Sequence, residues 1–125
     1  MSKTPIATEK APAAIGPYSQ AISTGNLLFV AGQTPLIPGT KDIPEGITAQ
    51  SIQSLNNVKA ILEAAGISTD NVVKSTVFLA DMSDFAAFNE VYSTFFKAPY
   101  PARSCVAVKT LPMNVMVEVE VIALL

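Results

Sequence analysis

Val115-Met116-Val117-Glu118-Val119-Glu120-Val121-Ile122-Ala123-Leu124 is the most regular stretch of the chain. Successive side chains of a strand point to opposite faces. One face of this stretch therefore carries Val115, Val117, Val119, Val121 and Ala123, compact groups suited to packing beneath helices. The other carries Met116, Glu118, Glu120, Ile122 and Leu124. Two carboxylates among apolar neighbours make neither a plain solvent face nor a plain core. Such a mixed surface fits an interface with a polar site set into it.

Just upstream, Pro101-Ala102-Arg103-Ser104-Cys105-Val106-Ala107-Val108 reads as a buried strand. Arg103 and Cys105, two apart, project to the same side. A guanidinium is seldom buried without a partner. It is also the side chain best shaped to grip a carboxylate with two parallel hydrogen bonds. The segment suits the floor of a small-acid site, and equally a structural ion pair or an interface arginine.

The remaining elements follow from the same kind of pattern. Val72 to Ala80 is a β-branched run that suits a central strand. Ser83 is predicted to cap a helix whose buried stripe is Phe85, Phe88, Tyr92 and Phe95. Thr48 is predicted to cap an earlier helix reaching about Ala65, with Ile52, Leu55, Val58 and Leu62 at helical spacing and Gly66 as its stop. Tyr18 to Thr24 and Leu27 to Ala31 read as a hairpin in which Gly25-Asn26 supplies the positive φ angles; Gly32-Gln33 ends the second strand. Residues 34–46 read as a loop and residues 1–17 as an extended arm. No repeat or linker divides the chain, so one domain is expected over residues 1–125. Helices on one face of a single sheet give a two-layer α+β fold, with the opposite face left for a partner subunit.

Composition narrows the function. Hydrophobic residues make up 50% of the 125 and charged residues 14%, against about 25% charged in typical domains. A small domain has limited interior, so part of this apolar surface is expected in a subunit interface. The net charge is −2 and the eight Lys and Arg residues are scattered, which argues against a nucleic-acid partner. Histidine is absent, removing the commonest general base and metal ligand together. The single cysteine cannot close an intrachain disulfide. Neither a secretory signal nor a membrane span is visible, so the expectation is a cytoplasmic protein.

Read in order, a set of short motifs resembles the RidA/YjgF family of reactive intermediate (enamine/imine) deaminases. They are Ala14-Ile15-Gly16-Pro17-Tyr18-Ser19-Gln20, Ala31-Gly32-Gln33, Asn56-Asn57-Val58 to Ala65-Gly66, Lys74 to Leu79, Phe88-Asn89-Glu90-Val91-Tyr92, Pro101 to Val106, and Val117-Glu118-Val119-Glu120. The resemblance implies a chorismate-mutase-like fold, a mixed sheet with two helices on one face. It further implies a homotrimer with the sheets facing inward and three clefts between subunits. The last strand would then lie between the hairpin's second strand and the strand near residue 76, and Arg103 and Glu118 would meet across a cleft.

The implied reaction is hydrolysis of 2-enamine or 2-imine acids, such as 2-aminoacrylate and 2-iminopropanoate, to 2-keto acids and ammonia. It protects pyridoxal-phosphate enzymes and needs no cofactor or metal. Imines hydrolyse in water unaided, so holding substrate and water in line supplies much of the demand. By the resemblance, Arg103 holds the substrate carboxylate and Glu118 orients or activates the water. Partial burial is expected to raise the Glu118 pKa toward a useful range, while Glu120 is structural. Cys105 lines the cleft; without a histidine to generate a thiolate it is a wall and not a nucleophile. Tyr18 and Asn89 line the same cleft, and Gly32 leaves room for backbone to approach a ligand. Ala31 departs from the family, many members of which carry a hydroxyl there, so that only backbone groups of this turn remain available. The rival readings are a non-catalytic module binding small carboxylate metabolites and, less in keeping with the acidic balance, a ribonuclease or translation inhibitor.

Overall fold

In a computed structural model, which describes residues 2–125, the chain forms one six-stranded sheet and two helices. The strands are β1 (Thr4–Ile6), β2 (Ala21–Thr24), β3 (Leu27–Gln33), β4 (Val72–Leu79), β5 (Ala102–Ala107) and β6 (Val117–Leu124), and the helices are α1 (Ile47–Ala64) and α2 (Phe85–Phe95). The sheet order is β1-β2-β3-β6-β4-β5, with β4 and β5 parallel and every other pair antiparallel. β6 thus lies between β3 and β4, as the resemblance implied.

The valine alternation explains this placement. Val117, Val119, Val121 and Ala123 are each 2% exposed or less, and they pack with Leu55, Val58, Ile61 and Leu62 of α1 and Phe88 of α2 in one core. The helices cover this face only. The open face presents Phe29, Val106 and Leu124 to solvent. It also carries Ile22, Phe78 and Ile122, which share the rungs of exposed residues there.

Several local expectations are corrected. The arm contains β1, hydrogen-bonded to β2 and tied down by Gln20, whose amide bonds Thr8, Ala11 and Pro12 backbone groups. In the hairpin turn only Gly25 takes a positive φ, 57°; Asn26 does not. α1 begins after Gly46 at φ 87° with no side-chain cap, so Thr48 is inside the helix. Ile52 is 42% exposed, and the inner stripe is completed by Ile61 with the small polar residues Ser51 and Ser54. A short 3₁₀ turn, Met82–Asp84, precedes α2. Its cap is Asp81, which accepts from the Ser83 amide at 2.8 Å, so Ser83 is capped instead of capping. β5 is an edge strand with Ala102, Ser104 and Val106 exposed, not a buried one. Among the described residues no helix is long and apolar enough to cross a membrane.

Candidate active site

Strand register decides where Arg103 points. Paired residues share a face, and Ala21, Val30, Val121, Ser75 and Arg103 form one continuous rung. Its four inner members are buried beneath the helices. Arg103 ends the rung at the sheet edge, where the same direction carries its side chain alongside α2. Phe85, Asn89 and Tyr92, at helical spacing, occupy one face of that helix. The Arg103 Nη1 donates to Asn89 Oδ1 at 2.8 Å. Its Cζ lies 4.7 Å from the Tyr92 ring centre and 5.5 Å from that of Phe85. The Tyr92 hydroxyl is in turn 2.7 Å from Ser75 Oγ, on the residue opposite Arg103 in β4.

These partners are all neutral. Among the described residues the one ion pair is Lys97–Asp70 at 3.7 Å, so no carboxylate balances Arg103. Arg103 lines a cleft of about 460 Å³ together with Asn89, Tyr92, Ser93 and Tyr100. A fixed cation with spare donors in such a cleft is equipped to bind a small carboxylate. Burial pushes the Tyr92 phenol up, opposed by the Ser75 hydrogen bond and the Arg103 charge. Cys105 lies one rung farther on the same side, opposite Val77. Burial raises its thiol pKa, and Arg103 only partly offsets this; the protonated thiol is a poor nucleophile.

Glu118 is elsewhere. It pairs with Phe78, on the open face, so within one chain Arg103 and Glu118 leave opposite faces of the sheet. Its side chain lies against Gly32, where the β3–β6 register shifts between Val30 and Gln33. A Cβ on Gly32 would fall 2.7 Å from Glu118 Oε1 and 2.9 Å from its carboxyl carbon. The glycine therefore makes room for this carboxylate. Burial, and secondarily the neighbouring charge of Glu120, push the Glu118 pKa above the usual carboxylate range.

Ala31 borders an open-face hollow of about 330 Å³ together with Ser19, Lys74, Thr76 and Glu120. Its backbone is already engaged: the amide donates to Gln20 O at 2.9 Å, and the carbonyl accepts from Gln33 Nε2 at 3.0 Å. The expectation that this turn keeps its backbone free is thus corrected for the amide. Tyr18 is 52% exposed and lines a separate groove with Ile6 and Thr8 of the arm. One chain brings together Arg103, Asn89 and Cys105, and separately Gly32 and Glu118; Tyr18 joins neither group. The aromatic cradle of Phe85 and Tyr92 is an addition. The spacing Phe85-Asn89-Tyr92 carried that signal, although the two rings also serve the core stripe expected of them.

Sheet and helices define an α+β protein whose candidate site residues are dispersed over both sides of one sheet. A family model described as endoribonuclease L-PSP matches residues 8–125. The 2-iminobutanoate/2-iminopropanoate deaminase of Escherichia coli K12 is 53% identical over 126 residues, covering 98% of each chain. The solved structure of the YjgF gene product from Escherichia coli gives a TM-score of 0.93 at 50% identity, over 97% of this chain and 98% of that one. That of Escherichia coli TdcF with bound serine gives 0.94 at 48% identity, over 98% of both. The chain belongs to this family, the RidA/YjgF proteins.

Proposed function

We propose that the protein hydrolyses 2-imino acids, formed from 2-enamine acids such as 2-aminoacrylate, to 2-keto acids and ammonia. The observation that carries this is Arg103: a guanidinium without a carboxylate partner, fixed by Asn89 and Tyr92 beside an open cleft. Full-length similarity to a deaminase of this class supports the choice of substrate. The serine bound to TdcF, also an amino-acid carboxylate, fits the same chemistry in a relative.

Arg103 takes the substrate carboxylate in a two-bond grip, with the Asn89 amide N–H groups and the Cys105 wall beside it. Water adds to the imine carbon, and the Glu118 carboxylate relays its proton toward the nitrogen. The resulting carbinolamine loses its C–N bond, so one imino acid and one water give one keto acid and one ammonia. Raising the pKa of Glu118 makes its ionised form a stronger base, which suits this role. Tyr18 and the Ala31-Gly32 turn complete the enclosure from a neighbouring copy. Because Arg103 and Glu118 leave opposite faces of one sheet, the site needs at least two chains. A homotrimer in the cytoplasm, with open faces turned inward, supplies three such clefts and covers Phe29 and its apolar neighbours. At Ala31 a hydroxyl contact to the ligand is missing, worth about 1.5–3 kcal/mol if made to a charged group, enough to weaken activity or alter substrate preference. The ribonuclease reading draws on the descriptions of the family model and of a similar solved structure, and sits poorly with a chain of net charge −2 that lacks histidine.

The test generates 2-aminoacrylate in situ with a serine or threonine dehydratase and follows keto-acid release. Wild type accelerates release, and Arg103→Ala, still folded, loses about a hundredfold or more in kcat/KM, the worth of two charge-assisted bonds. Equal acceleration by both removes Arg103 from the role. Saturable keto-acid binding without acceleration favours the metabolite-binding alternative. Light scattering reports a trimer; a monomer undoes the shared cleft.

A further inference from the structure

The protein has six glycines, and five of them, Gly16, Gly25, Gly39, Gly46 and Gly66, adopt a positive φ. At those positions the backbone itself favours glycine. Gly32 is the exception: its backbone conformation is open to any residue. Its three nearest would-be Cβ contacts are all Glu118 side-chain atoms, Oε1, the carboxyl carbon and Cγ, at 2.7, 2.9 and 3.2 Å. No backbone atom is among them. The closest obstacle to a side chain at position 32 is thus the lie of one carboxylate.

We infer that Gly32 is a positioning residue whose missing side chain seats the Glu118 carboxylate flat against β3, holding it at the place and in the half-buried setting where it serves the water. This inference rests on the role proposed for Glu118. The β-bulge contributes, since the register shift between Val30 and Gln33 brings residue 32 under the Glu118 side chain; bulges often re-aim a group in this manner. Any side chain larger than hydrogen turns the carboxylate off this seat. The obstructed atom is the far end of a flexible side chain, so it can swing outward without displacing backbone. The fold therefore survives, and the change appears at the carboxylate. The charged groups facing Glu118 are few. Glu120 lies on the same strand and Lys74 on β4, both on the open face, while β3 and β5 offer none on that face.

The experiment compares Gly32→Ala with wild type in the 2-aminoacrylate assay, alongside carbon-13 NMR titration of the Glu118 carboxyl. The expected result is a fall in kcat of about tenfold or more, within the range of general acid–base contributions, with KM little changed. Far-UV circular dichroism stays that of wild type. The Glu118 titration moves down toward that of an ordinary glutamate as the carboxylate gains water. In a Glu118→Gln background, Gly32→Ala costs no further kcat, which separates positioning from general damage: the glutamine fills the same space and would expose a folding defect equally. An unchanged Glu118 titration, or a full additional loss of kcat in the Glu118→Gln background, overturns the inference. A shifted titration in a protein whose wild type shows no catalysis leaves the seat in place and overturns the deaminase reading instead.

Discussion

On the helix-covered face, the β6 residues Val117, Val119 and Val121 are almost wholly withdrawn from water. On the open face, Glu118, Glu120 and Ile122 of the same strand stay partly exposed. Each face carries one group to which the proposed reaction gives a role, and the two are supported in opposite ways. Arg103 is held by what is added around it, an amide and two aromatic rings. Glu118 is held by what is left out, the side chain absent from Gly32. A cation can be steadied by neutral aromatic faces and an amide oxygen without losing its charge. The Glu118 carboxylate, on the face that no helix covers, has no such cover within the chain.

The sharpest contrast is in packing. Phe88, fully buried with its ring centre 5.7 Å from that of Tyr92, should cost about 3–5 kcal/mol when replaced by alanine, read as a fall in the urea midpoint. Phe29→Ala on the open face, where the ring is 42% exposed, should change the unfolding of a dissociated subunit far less and weaken association instead. Equal losses in both variants at low protein concentration would erase the distinction between the faces. A smaller effect is expected at Ser75→Ala, which leaves the buried Tyr92 hydroxyl without its 2.7 Å partner. About 1–3 kcal/mol of stability should go, together with a raised KM for the imino acid as the ring beneath Arg103 loosens. An unaltered KM would make Ser75 part of the core alone.

The smallest effect concerns pH. Glu118 has a folded-state pKa raised by burial and by Glu120. The folded protein therefore binds this proton more tightly than the unfolded chain does, and stability falls as pH rises through the carboxylate range. Glu118→Gln removes that penalty. Thermal unfolding should occur at a slightly higher Tm than wild type at neutral pH, the gain disappearing below the pKa of an ordinary glutamate. A gain that persisted in acid would mean that packing, and not charge, had changed.

Local rules carried most of the fold. The β6 alternation was readable because one face is uniformly apolar, and both helices carried recognisable stripes. The central position of β6 was not local information; it came from the resemblance, since consecutive strands commonly pair. Ile52 has the helical spacing of a core residue yet faces solvent, because α1 approaches β3 through Ser54, which donates to Gln33 O at 2.7 Å. At the site, Arg103 and Cys105 shared a side as strand spacing requires. The bond from Arg103 to Asn89 joins a helix to a strand, and the Gly32–Glu118 contact joins two strands distant in sequence. Neither leaves a mark in the spacing of residues along the chain.

The first strand has a bearing on how the molecule avoids unwanted growth. β1 is three residues long and its middle residue is Pro5. Proline has no amide hydrogen to offer an incoming strand, and so short an edge gives little purchase. On that flank the sheet cannot readily be lengthened by a second molecule, so open-ended filaments are disfavoured and closed assemblies are left to stickier surfaces.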